Sequence, residues 1–132
     1  MTSHRIFTTG CVAVLATLAV AGCSTKESGV PNSGKAAGVE VTVNANDSTC
    51  SLSTSEGGIG TTTFVVTNNG SKVTELYVYD KDERVLGEVE NISPGLQRQL
   101  AVQFSQPGPY KVACKPGMVG DGIRADFTVT GS

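Results

Sequence analysis

At 132 residues the chain has length for about one domain, and its 10 Lys and Arg against 12 Asp and Glu give a formal net charge of −2. Such a balance lacks the basic field that nucleic acid binding requires. The single histidine, His4, lies so near the N-terminus that it excludes imidazole chemistry from the rest of the chain.

Residues 1–22 read as a secretory signal peptide: Arg5 supplies a basic start, and the apolar run "CVAVLATLAVA", Cys11 to Ala21, is too short to remain as a membrane span. Its end, "VAGC" from Val20 to Cys23, resembles the bacterial lipobox. That motif implies lipidation of Cys23 and cleavage before it, with small side chains beside the scissile bond. The expectation is a protein held through lipid on the extracytoplasmic face of a bacterial cell membrane, anchored without spanning it. Loss of Arg5 with the leader leaves 9 of the 10 basic residues against 12 acidic ones, a formal charge of −3.

Residues 23–38 form the expected lipidated tether. "STKESGVPNSGKAAG" is rich in Ser, Gly and Lys without periodicity, and as coil it reaches roughly 20 Å.

From Val39 the pattern alternates with period two, and no window carries a helical stripe, so 39–132 is predicted to be one all-β domain. Val39, Val41 and Val43 share a face. "TTTFVVT" (61–67) stops at an Asn-Asn-Gly turn signal, and "TELYVYD" (74–80) turns through "DKDE" into "RVLGEVE" (84–90). "LQRQLAVQF" (96–104) follows, with Leu96, Leu100, Val102 and Phe104 on one parity. "YKVAC" (110–114) brings Cys114 to the core side at its strand end, and a last strand runs over about 124–130. About seven strands with close turns suit a two-sheet sandwich. No nucleophile with an activating base, phosphate loop or two-histidine motif is present, so an enzyme is not expected. With Cys23 committed to lipid, Cys50 and Cys114 remain as an even pair in an oxidising compartment.

Taken together, "NANDSTCSL", "TFVVTNNGSKVTELYV", "ENISPG", "PGPYKVACKPGM" and the closing "FTVTGS" resemble a cupredoxin, and in particular the small cupredoxin-like domain of EfeO-type iron-uptake proteins. The resemblance covers Val39 to Ser132 and implies a Greek-key β-sandwich that binds or hands over iron, or copper, alongside other components of an iron-uptake system. It places Glu75 where copper cupredoxins carry a histidine and Cys114 where they carry the thiolate, with Met118 beyond. With no imidazole to complete the set, type 1 copper is not expected. The residues implied as metal ligands are Cys50, Glu75, Glu90 and Cys114, two oxygen and two sulfur donors, with Glu88 able to substitute for Glu90. The alternative is a Cys50–Cys114 disulfide in a metal-free sandwich that docks a surface or membrane partner. EfeO-type proteins usually continue into a helical metal-binding domain, which leaves this chain to be read as a stand-alone relative or a fragment.

Overall fold

Alternation decides which face each strand buries, and β1 (Val39–Ala45) shows it plainly. Val41, Val43 and Ala45 are buried, while Glu40, Thr42 and Asn44 are exposed. The computed structural model describes residues 38–131. After β1 come β2 (Cys50–Leu52), β3 (Glu56–Gly58), β4 (Gly60–Asn68), β5 (Thr74–Tyr79), β6 (Val85–Ile92), β7 (Gln97–Phe104), β8 (Gly108–Cys114) and β9 (Ile123–Thr130). One sheet has the order β2-β1-β4-β7 and the other β3-β9-β8-β5-β6.

All seven predicted strands form, and two short ones, β2 and β3, join them. The expected signal peptide (1–22), the lipidation site Cys23 and the tether to residue 37 lie outside the described residues.

Between the sheets, Phe64, Phe104, Phe127 and Tyr110 make an aromatic cluster, with ring centroids 5.3 Å apart for Phe64 and Phe127 and 4.7 Å for Phe104 and Tyr110. Val41, Val66, Leu76, Val78, Ile92 and Val112 are fully buried around it. Each such side chain contributes roughly 1.5–3 kcal/mol by leaving water. Tyr110 keeps its polar tip satisfied by donating its hydroxyl to the Gln106 carbonyl at 2.8 Å. Leu96 departs from its expected inward parity. It precedes β7 at a turn, is 43% exposed, and uses its carbonyl to accept from the Asn68 amide.

Asn68, buried at the end of β4, ties that corner. Its Nδ2 donates to the carbonyls of Lys72 (2.8 Å) and Ile92 (2.7 Å), and its Oδ1 accepts from the Gly70 amide. β1 runs parallel to β4, with Val39 beside Thr62 and Ala45 beside Asn68. β9 ends beside β3, with Thr130 opposite Gly58. The chain therefore enters and leaves the sandwich at one pole, while Asn68, Cys50 and Cys114 sit at the other.

Candidate functional site

At that second pole the strand-end Cys114 is fully buried, as its shared parity with Tyr110 and Val112 requires. Its sulfur is bonded to Cys50 at the start of β2, with the two Cα atoms 5.6 Å apart. The bond joins a strand of each sheet and so staples the sandwich across its core. Beyond Cys114 the chain is laid against β5: the Lys115 amide donates to the Glu75 carbonyl at 2.9 Å and the Gly117 amide to the Val73 carbonyl at 2.7 Å. A single 3-10 turn, Pro116–Met118, results. Gly122 closes the loop at φ +77, where an added Cβ would lie 2.7 Å from the Cys114 carbonyl oxygen, so glycine is required there. Met118 is 43% exposed on the loop surface.

The four implied ligands divide into two groups. Cys50 and Cys114 are together, but bonded to each other, so neither offers a thiolate in this form. Glu75 alternates with the core residues Leu76 and Val78 and so belongs to the outer face of β5, with Tyr77 and Tyr79. Although Glu75 is only 9% exposed, its carboxylate has no hydrogen-bond or ion-pair partner among the described residues. Glu90 is exposed, and its Oε1 accepts from the Tyr77 hydroxyl at 3.1 Å. Glu88 stands directly across from Tyr77 in the strand register. Among the described residues no three His, Cys, Asp or Glu side chains gather as a metal site.

The outer face also holds residues that sequence reasoning did not single out. Tyr77 and Tyr79 stack with ring centroids 5.7 Å apart and planes 12° from parallel. Lys115 places its ammonium 4.0 Å from the Tyr77 ring centre, and the Arg124 guanidinium lies 5.0 Å from that of Tyr79. Arg124 also pairs with Glu83 at 2.5 Å. The signal was present in "TELYVYD", where the two tyrosines occupy the polar parity of a strand. Burial, the bond to Glu90 and the charges of Glu75, Glu88 and Glu90 all push the Tyr77 hydroxyl well above the ordinary tyrosine range.

Type 1 copper requires two imidazoles, a thiolate and a weak axial donor. The described residues contain no histidine, and the Cys114 sulfur is bonded to carbon and sulfur only, so this donor set does not fit that metal centre. The remaining oxygen donors suit harder cations.

The sequence matches the family described as "Cupredoxin-like domain" over residues 11–129. Among solved structures, it is similar to the dithionite-reduced auracyanin of the photosynthetic bacterium Roseiflexus castenholzii, at 13% identity over 70% of this chain and 97% of that one, with a TM-score of 0.55. Auracyanin B aligns at 14% identity over 69% of this chain and 88% of its own, TM-score 0.54. Auracyanin A, a blue copper protein of Chloroflexus aurantiacus, aligns at 10% identity over 70% and 98%, TM-score 0.52. At these identities the likeness is one of fold. No curated protein matches the chain in sequence.

Proposed function

The chain belongs to the cupredoxin-like domain family, and from that premise we propose that it is a lipid-anchored, extracytoplasmic module of the EfeO type, a binding protein and not an enzyme, that binds or hands over iron or copper in iron uptake. The observation that supports this reading best is the company at the disulfide pole. Cys50 is bonded to Cys114, and the residue after Cys114 is hydrogen-bonded to the backbone of Glu75. Three of the four ligands that the EfeO resemblance implies thus lie on adjoining chain segments, joined by the disulfide and by a backbone hydrogen bond. Reduction by a dithiol would convert the disulfide to two thiols, giving the pole soft sulfur donors on the core side of the sheet while Glu75 offers a hard oxygen donor on its outer face.

The test is metal analysis of purified protein, oxidised and reduced, after challenge with Fe(III), Cu(I) and Zn(II) and removal of excess. Stoichiometric metal in the reduced protein that falls in Glu75→Gln supports the reading. Equal metal in Glu75→Gln and wild type, in both redox forms, removes the proposed site. The anchor has its own test: the mature N-terminus is expected at Cys23 carrying acyl mass, and Cys23→Ala to leave the protein unlipidated.

A second reading is favoured by the disulfide itself. A sandwich stapled in the oxidising compartment, with its sulfurs unavailable, serves as a metal-free docking domain for a surface or membrane partner. Protein that carries no metal from its native compartment and binds none after reduction would select it.

A further inference from the structure

Two open sheets leave four edges, and exposed edges invite pairing unless something blocks them. Three of the four are blocked. β2 and β3 are three residues long each. β6 has eight residues, but its register with β5 shifts twice, and it presents the exposed carboxylates of Glu88 and Glu90.

β7 has none of these devices. Its eight residues hold an unbroken antiparallel register with β4, from Gly60 opposite Phe104 to Thr67 opposite Gln97. The segment contains no proline and one charged side chain, Arg98. The Leu96 carbonyl accepts from Asn68, so the alternation of an antiparallel ladder turns the even-numbered residues of β7 toward β4 and the odd-numbered ones outward. Gln97, Gln99, Ala101 and Gln103 therefore direct their backbone N–H and C=O groups away from the sheet. All four residues are exposed, and among the described residues no strand pairs with that side.

We propose that β7 is a self-association edge, on which two copies of this chain pair antiparallel and extend the four-stranded sheet across a two-fold axis into eight strands. A second copy fits because the edge is complementary to itself. With the axis at Leu100, Gln97 of one copy faces Gln103 of the other and Gln99 faces Ala101, so the outward backbone groups meet in hydrogen-bonded pairs. The two Arg98 side chains face Val102 and not each other. The same operation on β6 would set Glu88 against Glu90 and is disfavoured by like charge. A strand-to-strand contact buries less than a standard interface, so it is weak in dilute solution. Confinement of both copies to one membrane, as the anchor reading above supplies, raises their effective concentration into the range where such a contact forms.

The experiment is sedimentation equilibrium of the oxidised mature chain, made unlipidated with Cys23→Ser, over a concentration series reaching about 1 mM, the effective concentration that short tethers supply. The mass should rise from one chain toward two. Ala101→Pro removes an outward N–H without touching a bond to β4 and should weaken association at least about tenfold, or 1.4 kcal/mol, with the far-UV spectrum retained. Gln99→Lys, which puts a charge on the edge, should do the same and carries the test if the proline variant does not fold. Glu88→Lys on β6 should leave association unchanged. A single-chain mass throughout the series overturns the proposal. So does a dimer that survives both β7 variants, or one that is lost in Glu88→Lys alone.

Discussion

Lys115, the residue after the half-cystine Cys114, holds its ammonium 4.0 Å from the centre of the Tyr77 ring, on the opposite side of the sheet from the core. The covalent staple and the outer aromatic face are therefore consecutive features of one strand end. Tyr77 is also the most perturbed titrating group described.

Tyr77 should ionise well above its ordinary value of 10.0, because burial, the bond to Glu90 and the nearby glutamates all disfavour the phenolate. A raised folded-state value means that the protonated phenol contributes stability fully below about pH 10 and loses it as pH rises through the folded value. Ultraviolet titration should show a tyrosine that ionises at higher pH in the folded than in the unfolded protein. The difference should vanish in Tyr77→Phe and shrink in Glu90→Gln. A tyrosine titration unchanged by Tyr77→Phe above pH 10 would contradict the environment of Tyr77.

Removing the disulfide should be costly. The bond closes a loop of 64 residue steps, for which the chain-entropy estimate is about 4 kcal/mol. Cys50→Ala combined with Cys114→Ala should lower the urea unfolding free energy by that order, with the two-sheet spectrum retained at low temperature. A loss below about 1 kcal/mol would mean that the unfolded chain is already constrained in another way.

Thr62 is fully buried beside the aromatic cluster, and its Oγ1 has no hydrogen-bond partner among the described residues. Thr62→Val replaces that hydroxyl with a methyl group of similar shape and should stabilise the fold by about 1 kcal/mol. The urea midpoint should rise at unchanged slope. An unchanged or lower midpoint would show that the hydroxyl is satisfied in solution.

Two aspartates should govern the acid limb of stability. Hydrogen bonds from Ser71, and then Lys72, hold Asp47 below its ordinary value of 3.8. The Arg84 backbone amide and guanidinium, with the Asp82 amide, do the same for Asp80. For a lowered carboxylate the stability is present above the unfolded value and lost as pH falls through the folded one. Unfolding midpoints measured downward from pH 5 should drop most steeply below about 4. The drop should be shallower in Asp80→Asn, which starts from a lower midpoint at neutral pH.

What the sequence discloses follows from how strongly each residue is constrained locally. Strands such as β1 were legible because they bury one parity, as in Val41, Val43 and Ala45, whereas β6, which buries only Ile92, was legible from its position after the Asp-Lys-Asp-Glu turn. β2 and β3 were not: "CSL" and "EGG" are too short to alternate, and they exist because β1 and β9 offer edges to pair with. Gly57 fits there because an added Cβ would lie 2.8 Å from the Phe127 ring, a contact between residues 70 positions apart in the chain. At the site, period two carried Cys114 to the core, whereas the union of its sulfur with Cys50 depends on the meeting of two sheets. The placing of Glu75 on the outer face was likewise decided by the parity of Leu76 and Val78, which matter more to the fold than one carboxylate.

The entry of the chain at Val39 and its departure at Thr130 from the same pole also decide how the domain would meet mechanical force. A load applied between those two ends acts at one pole, so it would peel β1 and β9 from their neighbours bond by bond instead of shearing a whole ladder at once. Peeling halts where the covalent bond between Cys50 and Cys114 is reached. Only Val39–Cys50 and Cys114–Thr130 can be drawn out, and everything between them stays looped behind the sulfur link, so the extensible length under tension is set by redox state.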